Sequence, residues 1–170
     1  DESMQELLEK LVEMGRLAES MIQTAMRSLI ERNETLCAEV FRKEEEVNEL
    51  QIEVDDRAVK LTALQQPVAG DVRFLFMATR IATELERIGD QAVNICQNTC
   101  HVLKAAPLKP LIDLPMMGEL AEKMVREGLE ALVARDCALA DSVLMDEKKA
   151  DAFRDQISRV LLTYMMGDPR

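Results

Sequence analysis

The residues with the clearest chemical potential are carboxylates spaced one helical turn apart. The run ERIGD at 86–90 sets Glu86 and Asp90 at i and i+4, on one face of any helix that holds them, and Asn94 and Asn98 extend the same polar ladder. Gly89 between them has no side chain, so a neighbouring helix or a hydrated ion can come close. A second polar interruption falls where an apolar stripe (Leu36, Val40, Val47, Leu50, Val54, Ala58, Leu61) should have been continuous. Lys43 and Glu44 stand there instead, and Asn48 follows Glu44 one turn later. A seam carboxylate is costly unless paired or coordinated. Two helices that each offer oxygen atoms at i and i+4 suit a hard cation, such as Mg, Mn, Ca or ferric iron, because neither sulfur nor imidazole is on offer. The alternative from spacing alone is a solvated helix face whose Glu86, Arg87 and Asp90 form local ion pairs.

Other clusters point to packing. Cys96, Cys100 and His101 share a helix with Ile95 and Thr99 and read as core cysteines. The four cysteines form no CxxC pair, as expected of small apolar residues in a reducing compartment. A single histidine leaves nothing for Ser-His-Asp or Cys-His catalysis. Arg73, Arg80 and Arg87 recur every seven residues, either as a docking stripe or as a solvated face with Asp71 and Glu84 as partners.

The elements that must position these residues are helices. Only 3% of the 170 residues are aromatic, with 6 Gly and 5 Pro, which is poor material for an all-β fold. The net charge of −11 excludes nucleic acid and anionic lipid as natural partners of the whole chain. No stretch is long and apolar enough to span a membrane, and the N-terminal residues lack the order of a secretory signal.

A shift of 103 residues aligns MGRLAESM at 14–21 with MGELAEKM at 117–124, and the register holds through Leu29/Leu132, Arg32/Arg135, Asn33/Asp136 and Glu44/Glu147. The chain is therefore read as a repeat. The first copy has three predicted helices: residues 4–32, 33–65 capped by Asn33, and a third opening at Pro67 with Asp71 in its first turn. The third helix carries Phe74, Ala78, Ile81, Leu85, Ile88, Ala92, Ile95, Thr99 and Val102 in alternating steps of four and three, a bundle seam. Pro107, Pro110 and Pro115 mark a linker, and two further helices repeat the first two, with a turn at Gly167, Asp168 and Pro169. This divides the chain into a first three-helix repeat (1–104), a linker (105–115) and the first two helices of a second repeat (116–170). The offset places a sixth helix from about residue 171, so the chain is expected to be part of a longer two-repeat protein. In the second copy Asp146 and Glu147 interrupt the stripe, with Asp151 one turn on.

With these residues laid out, the chain resembles the PhoU family, the cytoplasmic regulators of bacterial phosphate uptake. LQQPVAGDVR at 64–73 is similar to the family's L-x-x-P-x-A-x-D-L-R motif, and ELERIGDQAVNI at 84–95 to its L-E-R-I-G-D-x-A-x-N-I signature. The resemblance implies an all-α, elongated bundle of tandem three-helix repeats, here with the second repeat lacking its third helix. It also implies metal clusters held by paired E(D)xxxD motifs. On this chain Glu86 and Asp90 match one motif, and Glu44 begins the other, with Asn48 where an aspartate is usual. Asn94 is an additional candidate. Glu147 and Asp151 fit the motif in the second repeat, but their partners, near 189 and 193, lie past residue 170.

The implied role is non-catalytic. It restrains the phosphate-specific ABC transporter and helps a membrane sensor histidine kinase hold the phosphate-starvation response off, from the cytoplasm or peripherally at the inner membrane through those partners. An acidic helical protein suits the basic cytoplasmic loops of membrane proteins. The alternatives are a carboxylate-ligated metal store and a structural helical adaptor. A di-iron bundle expects Glu-x-x-His, and Asn98 stands three residues before His101. Apolar stripes left uncovered on the last two helices (Leu120, Met124, Leu132; Leu139, Val143, Phe153, Ile157, Leu161) predict a homo-oligomer, a homodimer in the simplest case.

Overall fold

The computed structural model describes residues 2–64, 67–107, 111 and 113–167. Five long helices account for the fold: α1 (Glu2–Ile30), α2 (Cys37–Leu64), α3 (Ala69–Val102), α4 (Asp113–Ala134) and α5 (Cys137–Gly167), with a short 3₁₀ turn at Glu34–Leu36. No strand occurs among the described residues. No helix there is long and apolar enough to cross a membrane. Gln65, Gln66, Pro110, Asp168 and Pro169, which carried parts of the expected boundaries, lie outside the described residues.

Helix α1 is central because its apolar residues recur at three and four and pack against α2, α3 and α4. Leu7, Leu11, Met14, Met21 and Ala25 are fully buried against α2 and α3. Each large side chain so enclosed contributes roughly 1.5–3 kcal/mol. Opposite them stand Val40, Val47, Val54 and Ala58 of α2. Side-chain bonds fix the antiparallel register: Lys10 pairs with Glu53 at 2.6 Å, Arg57 with Glu6 at 2.5 Å, and Gln51 on α2 donates to Thr83 on α3 at 3.4 Å.

The seam of α3 keeps Ala78, Leu85, Ala92 and Thr99 of the predicted stripe and, at the alternate positions, takes the residue after Phe74, Ile81, Ile88 and Ile95. Its buried positions are Leu75, Ala78, Ala82, Leu85, Gly89, Ala92, Cys96 and Thr99, while Phe74, Ile81, Ile88 and Ile95 are half-buried at its shoulder and Val102 is exposed. Size explains the shift: a seam of Ala, Gly, Cys and Thr lets α1 and α2 approach closely, and the bulky isoleucines then fit beside the contact. Helix α4 starts at Asp113 rather than 116, since Pro115 falls in the first turn, where its missing N–H is tolerated.

The repeat is visible in the backbone. Arg32 and Arg135, 103 residues apart, are the two non-glycine residues with positive φ (52° and 54°) among the described residues. Each closes its helix identically. Arg32 N donates to Leu29 O (3.3 Å) and Asn33 N to Ser28 O (2.9 Å), and Arg135 N donates to Leu132 O (3.3 Å) and Asp136 N to Ala131 O (2.9 Å). Both caps were readable from sequence, although Asn33 caps the 3₁₀ turn through Thr35 N, ahead of α2 itself.

Helices α1 and α4 cross about a pseudo-twofold axis. A Cβ on Gly15 would stand 1.9 Å from Leu129 Cδ1, and one on Gly118 would stand 3.0 Å from Met26 Cγ. Gly15 is equivalent to Gly118 and Met26 to Leu129 under the same offset, so the contact is reciprocal. Among the described residues, helix α5 packs on α4 alone.

Candidate functional site

The packing of α2 against α3 brings the predicted carboxylates of the first repeat to one interface. Glu44, Asn48, Glu86 and Asp90 are all half-buried, whereas Asn94 is exposed. Asn48 donates through Nδ2 to Glu44 Oε1 at 2.6 Å. Burial pushes the Glu86 carboxyl above its ordinary pKa, and the nearby Asp90 and Glu44 carboxylates push it further, against a small opposing effect from Arg87. Arg87 itself turns outward to Glu84 at 3.3 Å. Among the described residues no lysine or arginine forms an ion pair with Glu44, Glu86 or Asp90. Glu44, Glu86 and Asp90 therefore concentrate negative charge at this interface with no ion-paired partner among the described residues.

The donor chemistry fits a hard cation, but the side chains are not drawn into a coordination shell. Among the described residues no three Asp, Glu, His or Cys side chains converge closely enough to hold a metal ion. Asn48 would have to present Oδ1 in place of the Nδ2 that now faces Glu44. A Cβ on Gly89 would stand 3.3 Å from Met21 Cε and 3.9 Å from Val47 Cγ1, so the space the glycine leaves serves the approach of α1 and α2.

In the second repeat Glu147 and Asp151 are exposed, and Asp151 pairs with Arg154 at 3.0 Å. The inward position is one residue earlier. Asp146 is 3% exposed and accepts from Lys123 and Lys149, each at 2.7 Å. Hydrogen bonds from these two lysines hold its pKa below the usual carboxylate range. Its first-repeat equivalent, Lys43, donates to Ser20 and Glu39 at 2.5 Å. Sequence reading weighted Glu147 because it lines up with Glu44. The better signal was the pair at the same offset, Ser20/Lys123 and Lys43/Asp146, in which a lysine changes helices.

The thiols behave as core groups. Cys37 and Cys96 are buried, and burial with the neighbouring Cys37 thiol pushes Cys96 up to about 12. Cys137, however, is exposed.

Comparison with known proteins gives a consistent result. The PhoU domain model matches residues 11–99 and 114–170. A protein of Aquifex aeolicus named phosphate-specific transport system accessory protein PhoU homolog is 30% identical over 167 residues, covering 98% of this chain and 76% of its own. One of the same name from Zymomonas mobilis is 34% identical over 168 residues, covering 99% and 71%. The crystal structure of PhoU from Pseudomonas aeruginosa superposes with a TM-score of 0.94 at 29% identity, over 99% of this chain and 81% of that one. The phosphate transport system regulatory protein PhoU from Streptococcus pneumoniae shares the fold, with a TM-score of 0.87 at 21% identity.

Proposed function

This chain belongs to the PhoU family, and we propose that it is a non-catalytic accessory regulator of phosphate uptake that binds a hard metal cation. The observation that carries the regulatory part is the match, along nearly the whole of this chain, to relatives named as accessory proteins of the phosphate-specific transport system. In this reading the protein restrains the phosphate ABC transporter and keeps a membrane sensor kinase from signalling starvation when phosphate is plentiful. It does so from the cytoplasm, reaching the membrane through those partners.

For the cation, Glu86, Asp90 and Glu44 would be the holding residues, with Asn48 and Asn94 as neutral oxygen donors. When bound, the ion would supply the positive charge that this interface lacks. Support comes from the unpaired carboxylates between α2 and α3 and from the oxygen-only donor set. Glu147 and Asp151 would contribute a second site only with further oxygen ligands. The stripe expected to be uncovered is not exposed: Leu120, Met124, Leu132, Leu139, Val143, Phe153 and Leu161 are half-buried and Ile157 is buried. The exposed Leu144, Met145, Leu162 and Met165 of α5 support self-association in its place.

Complementation tests the regulatory reading. In a bacterium deleted for its own PhoU, expression of the protein in phosphate-rich medium is expected to return a phosphate-starvation reporter to its repressed level. A reporter that stays on while folded protein accumulates would reject it.

A further inference from the structure

The outward face of α3 carries an association of residues that the bundle engages only at its edge, where Thr83 accepts from Gln51 and Arg87 pairs with Glu84. Arg73, Phe76, Arg80, Thr83 and Arg87 fall within an arc of about 80° and along about 21 Å of helix. Phe76 is 66% exposed and Met77 45%. Phenylalanine is scarce here, at 4 of 170 residues, and burial would be its default. Arg73 and Arg80 are exposed and have no ion pair among the described residues, in a chain with 32 acidic side chains to choose from. Beyond the helix start, Leu64 and Val68 are also exposed, at 80% and 70%.

We infer that this face docks a partner protein through a segment in which acidic side chains flank apolar ones. Exposed Phe, Met and Arg are the residue types enriched at protein interfaces. Unpaired arginines beside an apolar centre select a segment with carboxylates at the rim and aliphatic groups between them, and Arg offers those carboxylates a planar, two-pronged donor. The net charge of −11 opposes extended polyanions such as nucleic acid and anionic membranes, whereas a short acidic segment is met at close range by the two unpaired arginines of this stripe. Which protein carries that segment rests on the regulatory reading above; the surface does not.

The test replaces Phe76 in the full-length protein with photo-reactive benzoylphenylalanine and maps the cross-linked segment by mass spectrometry after irradiation of living cells. The expected product joins position 76 to an acidic segment of a phosphate-transport or sensor-kinase component. Its yield should fall at least tenfold when Arg73→Glu and Arg80→Glu are added, and recover when the segment's acidic residues are changed to Lys. An acidic segment of an unrelated protein, lost on the same charge reversal, would uphold the surface and count against the regulatory reading. The inference is overturned by a cross-link to lipid, nucleic acid or a segment without acidic residues, by a yield unaffected by charge reversal, or by no cross-link from protein whose helical circular dichroism is intact.

Discussion

Lys123 donates to Asp146 across the α4–α5 interface at 2.7 Å, in the place where Ser20 accepts from Lys43 across α1–α2 at 2.5 Å. Positions 20 and 123, and 43 and 146, are equivalent under the 103-residue offset. One polar slot in the repeat has thus been filled twice with the lysine on opposite helices. The slot tolerates a charge because a partner from the adjacent helix always meets it.

Exchange should therefore be better tolerated than single change. Asp146→Lys alone would set three cations together with Lys123 and Lys149, and the urea midpoint should fall clearly. Adding Lys123→Ser should recover part of that loss, because it removes one of the three cations and restores the Ser–Lys contact of the first repeat, while Ser142 stands where Glu39 pairs with Lys43. Non-additive midpoints across the four proteins are the expected outcome.

The α1–α4 crossing sets Glu19 and Glu122, themselves repeat equivalents, within electrostatic reach of each other. Burial first, then Glu19 and Glu119, raise the Glu122 carboxyl, while Arg126 opposes this and pairs with Glu19 at 2.6 Å. A raised folded-state pKa means that the protonated form is favoured by folding. The contribution is complete below the unfolded value of about 4.3 and is lost as pH rises through the folded value. Glu122→Gln should accordingly raise the urea midpoint at pH 7 and leave it little changed at pH 3.5.

At the same crossing, Gly15→Ala has no room for its Cβ beside Leu129. Leu129 must leave its position, at a cost of about 1–3 kcal/mol against a gain of about 1 kcal/mol in helix preference. The variant should be less stable than Gly118→Ala, whose nearest contact is the more adaptable Met26 at 3.0 Å. Leu129→Ala should cost less in the Gly15→Ala background than alone, as measured by a chemical-denaturation cycle.

The helices, their order and the repeat were legible because period and punctuation agree: steps of three and four, prolines between, and the same cap chemistry at Asn33 and Asp136. The carboxylate cluster of α2 and α3 was legible for a related reason, since a polar residue in an apolar stripe must be explained. Exact facing was not. On α3 the expected Ala78, Leu85, Ala92 and Thr99 do face inward, but Leu75, Ala82, Gly89 and Cys96, one residue on from Phe74, Ile81, Ile88 and Ile95, satisfy the same spacing, and only the closeness of α1 and α2 selects them. In the second repeat the burial of Asp146 beside the exposed Glu147 was not legible, because which of two adjacent acids turns inward depends on Lys123, on a different helix. The exposure of Phe76 was hidden altogether, for an aromatic residue in a helical run reads as core.

Calorimetric titration of the purified protein with Mn²⁺ at pH 7 tests the metal-binding claim most directly. Wild type is expected to bind saturably, Glu86→Gln with Asp90→Asn at least tenfold more weakly, and Glu147→Gln with Asp151→Asn as wild type, since those two carboxylates face solvent. Equal affinity in wild type and in the Glu86/Asp90 variant, or no binding by wild type at all, would contradict the assignment of a cation to the α2–α3 interface.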